Sequence, residues 1–153
     1  ENNWDDYKGV DLKGKIAMML VNEPGRDDPK MFGGPALTYY GRWTYKYEEA
    51  ARHGAAGVLL VHTTETATYP WQVVQSSNTG NRSELVRDAS SPPVVKLKSW
   101  VTFDAAFRIA KLGGHNLVEM AKKAETREFK PTALGTQIDI SLKSTISTLN
   151  SAN

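Results

Sequence analysis

The three histidines of the chain, His53, His62 and His115, are the first candidates for acid–base or metal chemistry. They do not form a zinc motif, because no His-Glu-x-x-His segment places two imidazoles on one helix face beside a glutamate base. His53 falls at the end of a predicted helix, where the helix dipole favours a cationic ring. His62 follows a predicted core strand, a position at which α/β enzymes place functional groups. The pattern favours structural roles, with catalysis by His62 as the alternative.

The other reactive side chains do not form a catalytic set. A serine nucleophile needs a base and an oxyanion site, and the sequence has no Gly-x-Ser-x-Gly segment. Its glycines do not match a phosphate-binding loop that ends in Lys-Ser or Lys-Thr. Asp27 and Asp28 lack the alternating oxygen ligands and distal glutamate of a calcium loop, and their loop, 22–37, is long enough for a binding role instead. The sequence therefore predicts a domain with no catalytic residues, metal ligands or cofactor of its own.

Aromatic residues are the feature that stands out, because seven of the 14 lie between positions 39 and 71. Amphipathic rings and arginine are enriched at recognition surfaces. Some of these rings, Tyr47 among them, are expected in the core. The residues predicted to meet a substrate or partner are Tyr39, Tyr40, Arg42, Trp43, Tyr45 and Lys46.

A helix and a strand are predicted to position this group. Tyr47, Ala50 and Ala51 have the 3-4 spacing of an apolar helix face, while the charged neighbours point mostly elsewhere. Gly54 suits the left-handed position that ends such a helix. The run from Val58 to Val61 is apolar throughout and has the length of a buried strand.

The remaining elements follow from periodicity and from residues that begin or end helices. They are a buried strand over 16–21, a short helix at Pro70, a strand over 94–97, a helix from Thr102 to Gly113, and a helix capped by Asn116 and Glu119. Residues 134–148 alternate apolar and polar side chains, with Ile138, Ile140 and Leu142 on one side. That alternation predicts a strand with one face on the core, paired antiparallel.

Length and charge limit the class of protein. The 153 residues predict a single domain over 1–153, and the absence of cysteine excludes disulfides and thiolate metal sites. A net charge of +2 without long basic runs argues against nucleic acid or an anionic membrane as partner. The apolar runs are too short to cross a bilayer, and the start of the chain lacks the pattern of a signal peptide. We expect a soluble chain whose export signal, if any, was removed or lies outside it.

Three segments together resemble a known family. They are WDDYKGVDLKGKIAMMLVNEPG, TYYGRWTYKYEEAARHGAAGVLLVH and TYPWQVV. In this order they are similar to the protease-associated domain inserted in bacterial zinc aminopeptidases, in the family that includes glutamate carboxypeptidase and the transferrin receptor. The resemblance implies a mixed α/β domain of the swivelling β/β/α type, with a small curved sheet or open barrel flanked by helices.

The resemblance also implies a role. In the parent enzymes the peptidase domain holds two zinc ions, and the inserted domain is a non-catalytic lid, substrate-access element or protein-interaction module. The implied partners are that catalytic domain and a peptide substrate or protein, in a secreted or periplasmic setting. In one branch an arginine near this helix start holds the substrate carboxylate. Arg42 lies one residue from that place and Trp43 occupies it, so Arg42 as a substrate contact is a hypothesis. A free-standing aromatic-lined module for peptide or carbohydrate is the alternative function.

Overall fold

The computed structural model of the protein describes residues 3–150, so the first two and last three positions of the predicted domain lie outside it. The described part is mixed α/β, with one open three-stranded parallel sheet and five helices. The strands are β1 (Ile16–Leu20), β2 (Gly57–His62) and β3 (Leu97–Thr102). The helices are α1 (Trp43–Arg52), α2 (Thr64–Ala67), α3 (Trp71–Ser77), α4 (Phe103–Leu112) and α5 (Leu117–Lys123), and a 3-10 turn over Tyr39–Gly41 precedes α1. None of the helices in this part of the chain has the length and apolarity needed to cross a bilayer.

The central strand is β2, which pairs in parallel with β1 on one side and β3 on the other. All six of its residues are buried, which confirms the strand predicted from the apolar run. Because the strands are parallel, their carboxyl ends meet at one edge of the sheet, which we call the carboxyl edge. His62 pairs in register with Thr102 at this edge, and Leu20 ends β1 beside them.

Helices cover both faces of β2. Val58 and Leu60 belong to a cluster with Tyr47 and Ala50 of α1, which confirms the predicted apolar face of that helix. Val61 points to the opposite side, in a second cluster with residues of α4 and α5. Side chains alternate between the faces of a strand, so neighbouring residues of one apolar run serve two cores.

The predicted helix boundaries are largely confirmed. Gly54 has φ +77° directly after α1 and its C-cap. The Thr102 hydroxyl accepts a hydrogen bond from Ala105 N–H at 3.2 Å and so caps α4. The Asn116 side chain accepts bonds from the amides of Val118 and Glu119 at the start of α5. These signals act within four residues of chain, which is why the sequence predicts them well.

The third strand lies later than predicted. We expected it over residues 94–97, but β3 begins at Leu97 and continues through Thr102. The amides of Lys96 and Leu97 both donate to the Ala56 carbonyl, so the ladder to β2 starts only there. The prediction followed the apolar pair Val94-Val95 after two prolines, whereas pairing with β2 set the actual register.

The predicted C-terminal strand is wrong. Residues 134–148 form no strand in the described chain, and neither edge of the sheet pairs with them. Leu142 is 80% exposed and Ile146 is 89% exposed, so their alternation does not place an apolar face on the core. Alternation fixes which side chains share a face, but a strand also needs a neighbour for its backbone hydrogen bonds.

Candidate functional site

Residues 38–46, which we call the lead-in, carry the predicted binding residues. Thr38 caps the 3-10 turn, because its hydroxyl accepts a hydrogen bond from Tyr40 N–H at 3.3 Å. The turn closes when Arg42 N–H donates to the Tyr39 carbonyl at 3.1 Å. Arg42 itself has an extended backbone, with φ −78° and ψ 149°, and the next residue begins α1. The chain therefore makes a tight corner immediately before the helix.

This corner divides the six predicted residues into two groups. Tyr39 is 49% exposed, Trp43 is 43% exposed, and Arg42 is also exposed. Tyr40, Tyr45 and Lys46 are partly buried. The first group is open to solvent, and the second is a partly buried supporting group in which Tyr45 packs against Tyr39.

Arg42 is distinctive among the arginines. Within residues 3–150 its guanidinium makes no ion pair, hydrogen bond or ring contact. The other six each have a partner: Arg26 with the Glu65 carbonyl, Arg52 with Glu49, Arg82 with the Ser77 carbonyl, Arg87 with the Pro92 carbonyl, Arg108 with Asp104, and Arg127 with the Asn3 carbonyl. A guanidinium is a planar donor fork suited to carboxylate or phosphate, so Arg42 is available to an anion.

The rings of the lead-in pack edge to face against one another. The centroid of Tyr45 lies 5.5 Å from that of Tyr39 and 5.0 Å from that of Tyr40. Phe32 continues the row 6.1 Å from Tyr40, and Trp4 follows 6.2 Å from Phe32. Such T-shaped contacts are favourable beyond the area they bury. They support the exposed ring of Tyr39 through a row that extends to the N-terminal segment, while Trp43 packs against Tyr47 instead.

The two carboxylates on the outer face of α1, Glu48 and Glu49, already have partners. The Tyr39 hydroxyl donates to Glu48 Oε2 at 2.6 Å, and this hydrogen bond is the main reason why the pKa of Tyr39 is raised. Arg52 pairs with Glu48 at 3.6 Å and with Glu49, and its guanidinium lies 5.9 Å from the centre of the Tyr45 ring. The cation of Arg42 is therefore not matched by the neighbouring helix surface.

Lys46 belongs to the supporting group and lies among acidic side chains. Burial lowers its pKa, while the charges of Asp6 and Glu23 act in the opposite direction. Burial raises the pKa of Asp6, and the hydrogen bond from Trp4 Nε1 at 2.7 Å together with the charge of Lys46 partly offsets this. These neighbours make Lys46 a link between α1 and two other segments.

His62 at the carboxyl edge has a different environment. It is 4% exposed, and its Nε2 lies 2.9 Å from the Tyr69 carbonyl, so Nε2 carries the proton because a carbonyl only accepts. Its ring lies 5.6 Å from those of Tyr69 and Trp71 and 6.3 Å from that of Trp100. Tyr69 and Trp71 were grouped with the lead-in aromatics by sequence, but they enclose this histidine instead. The arrangement is typical of a packed core histidine.

Other candidate sites are less developed. Among residues 3–150 no three His, Asp or Glu side chains are grouped so as to hold a metal ion, and Asp27 and Asp28 are simply exposed. A shallow groove of about 660 Å³ runs beside α5, where His115, Glu119 and Phe129 contribute to its walls. Its charged lining is mixed in sign and exposed.

Sequence reasoning missed Glu23, the buried acid next to the lead-in. Its carboxylate accepts hydrogen bonds from Thr38, 15 positions along the chain. An acidic residue directly after a buried strand and before Pro24-Gly25 was the available signal. Its partner could not be deduced, because the loop between them has no regular period.

Comparisons of the chain with protein-family models, with curated proteins and with solved structures found no match. The residues of this chain and their geometry therefore carry the functional proposal.

Proposed function

We propose that the chain is a non-catalytic protease-associated domain, of the swivelling β/β/α type, from a zinc-dependent aminopeptidase-like protein. In this proposal it acts as a lid, substrate-access element or interaction module, and the lead-in is its contact surface. The resemblance of the segments at 4–25 and 38–62 supports the family. The observation that carries the binding role is the exposed, unpaired guanidinium of Arg42 beside Trp43 and Tyr39.

The chemistry of this surface fits a peptide with a free carboxylate. Arg42 can donate two parallel hydrogen bonds to such a group, which is the strongest pairing available to an exposed cation. Tyr39 and Trp43, close to Arg42 in the chain, expose aromatic rings that suit apolar side chains. Glu48 and Glu49 of α1 are already paired with Arg52, so Arg42 supplies the local preference for an anion.

The proposed partner is a peptidase domain with two zinc ions, in an exported protein. Residues 140–146 support a second folded unit next to this one, because their alternating apolar side chains Ile140, Leu142 and Ile146 are exposed. Pairing with a strand of that unit would bury one face of the segment and satisfy its backbone groups.

The test is a peptidase assay with zinc on the 153-residue chain and on the product of the complete gene. We expect activity in the complete product alone, whose added sequence should contain a His/Asp/Glu zinc set. Activity in the 153-residue chain would contradict the proposal.

Arg42 is tested in the complete product with one peptide in two forms, the free acid and the C-terminal amide. Arg42→Ala should lower kcat/KM for the acid by about tenfold, since one charge-assisted contact is lost, and leave the amide unchanged. Arg108→Ala is the matched control, because Arg108 pairs with Asp104 on a distant helix. Equal effects of the two substitutions would remove the role of Arg42.

A free-standing module for peptide or carbohydrate is the second candidate, favoured by the half-exposed rings of Tyr39 and Trp43. The gene discriminates between the two. Stop codons close to both ends of the 153-residue segment would favour the module, and a neighbouring zinc set would favour the peptidase.

A further inference from the structure

Glu23 is the only acidic residue that is buried in the described part of the chain, with 4% exposure. A buried carboxylate is stable only when its oxygens accept hydrogen bonds and its charge is compensated. Both oxygens are used by one residue: Thr38 N–H donates to Oε1 at 2.8 Å, and the Thr38 hydroxyl donates to Oε2 at 2.5 Å. Glu23 therefore holds the first residue of the lead-in at two points.

Thr38 is also hydrogen-bonded to the 3-10 turn, so it links Glu23 to the turn. Its hydroxyl oxygen accepts a bond from Tyr40 N–H, and its carbonyl accepts one from Gly41 N–H at 3.3 Å. The hydroxyl proton goes to Glu23, so the oxygen stays oriented toward the turn. The residues fixed in this way lie directly beside the exposed side chains of Tyr39 and Arg42.

Gly41 brings the turn against the same carboxylate. A Cβ atom at this position would lie 3.3 Å from Glu23 Oε2 and 2.6 Å from Leu37 Cδ2. Gly41 is buried and does not have a positive φ, so the glycine is needed here for space. The backbone of the turn thus rests on Glu23.

Glu23 is itself anchored. Two residues earlier Val21 is 2% exposed, and its N–H donates to the Val61 carbonyl at 3.3 Å at the end of the sheet ladder. The charge of Glu23 acts to raise the pKa of Lys46, on the first turns of α1, against the larger effect of burial. The carboxylate therefore connects the end of the sheet to the 3-10 turn.

We propose that Glu23 is the positioning residue of the lead-in: its buried carboxylate fixes the turn over Tyr39–Gly41 and thereby sets where Tyr39 and Arg42 meet a ligand. What the lead-in binds rests on the proposed function. The hold on the turn is a property of this chain alone, and it can be measured without a ligand.

The first measurement is amide hydrogen exchange by NMR in the 153-residue chain. Thr38→Val removes both hydroxyl bonds, and Glu23→Gln removes the charge with little change in volume. Each should speed exchange at Gly41 by about tenfold, the loss expected for a charge-assisted bond network, and leave the β2 amides unchanged. Thr38→Ser keeps the hydroxyl and should match the wild type. Glu125→Gln, the same change at an exposed site, is the control.

The second measurement is the Kd for N-acetyl-trialanine with a free carboxylate, compared with its C-terminal amide. Thr38→Val and Glu23→Gln should weaken binding of the acid by about tenfold at a temperature where both variants are folded, and Thr38→Ser should not. A purely structural role would lower the melting temperature and leave this Kd unchanged.

The outcomes separate the two proposals. If the wild-type chain binds neither peptide, the proposed ligand is wrong, and the exchange rates still decide the positioning role. Unchanged exchange at Gly41 in both variants would overturn that role. So would faster exchange with an unchanged Kd. Should Glu23→Gln fail to fold, the pair Thr38→Val and Thr38→Ser gives the same decision.

Discussion

The carboxyl edge of the sheet and the lead-in to α1 are both rich in aromatic rings, but the rings surround different things. At the carboxyl edge Tyr69, Trp71 and Trp100 enclose His62, whose Nε2 is bonded to a carbonyl. In the lead-in the rings pack on one another and leave the Arg42 guanidinium without a partner in the described chain. Aromatic density alone therefore does not identify a binding surface, because similar sets of rings enclose a core histidine in one region and lie beside an exposed arginine in the other.

The largest effect expected from this difference is on the stability of the carboxyl edge. His62→Ala leaves a cavity among the rings and a carbonyl without its donor, so the free energy of unfolding should fall by about 3 kcal/mol. Urea unfolding measures the change. His115→Ala, at a half-buried position in the α5 groove, is the control and should cost less. A loss below about 1 kcal/mol for His62→Ala would show that the enclosure contributes little.

The phenols of Tyr47, in the core, and Tyr39, in the lead-in, should affect stability at alkaline pH to different extents. Burial raises the pKa of Tyr47, whose hydroxyl donates to the Ser99 carbonyl at 3.1 Å. The folded pKa lies above the unfolded value, so the unfolded chain releases this proton first as the pH rises. Stability is thus complete below pH ~10 and falls above it by up to about 1.4 kcal/mol per pH unit for each such group.

Tyr47→Phe removes one such phenol, so the free energy of unfolding should fall less steeply above pH ~10 than in the wild type. The lost hydrogen bond should cost about 1 kcal/mol at neutral pH. The measurement is urea unfolding between pH 8 and 11. Variant and wild type are compared at each pH, so that the contributions of other titrating groups cancel. Tyr39→Phe should change the slope less, because Tyr39 lies at the surface. Equal slopes for Tyr47→Phe and the wild type would contradict the assignment of Tyr47 to the scaffold.

Thr102 tests a cap at the carboxyl edge. Thr102→Ala removes the acceptor for Ala105 N–H and should cost about 1 kcal/mol, the usual value for a lost N-cap, while Thr102→Ser should cost little. Thermal unfolding distinguishes the two variants. Neither should change the Kd for N-acetyl-trialanine, and an altered Kd would mean that this edge takes part in binding.

The smallest effect on stability is expected at Arg42, the residue proposed to contact the ligand. Arg42→Ala should change the free energy of unfolding by less than about 0.5 kcal/mol, because its guanidinium makes no contact to lose. Urea unfolding of this variant beside the wild type tests the statement. A larger loss would show that Arg42 supports the fold, and the contrast with His62 would no longer hold.

Much of the scaffold could be predicted from the sequence. The apolar run Val58–Val61, the helix face at Tyr47 and Ala50, and the end of the helix at Gly54 were all correct. Errors arose where pairing decides structure. The register of β3 depends on the ladder to β2, and residues 134–148 have the alternation of a strand but no neighbouring strand in the described chain.

The candidate site was predicted in part. The sequence indicated the six lead-in residues as a group, but could not divide them into the exposed Tyr39, Arg42 and Trp43 and the partly buried remainder. That division depends on a corner of the backbone held by Glu23, which local patterns do not reveal. Tyr69 and Trp71 belong to the same aromatic-rich range of the sequence, but the fold packs them around His62 and not beside the lead-in.

The sequence by itself determined the features that arise between residues a few positions apart: the helix caps at Thr102 and Asn116, the turn at Gly54 and the apolar face of α1. Backbone geometry and periodicity act at this range and need no partner elsewhere. Tertiary structure alone decided that Glu23 meets Thr38, that rings from two separate segments enclose His62, and that Arg42 has no partner among residues 3–150. Each of these depends on which distant groups compete for the same hydrogen bonds and space, and that is settled only when the chain packs.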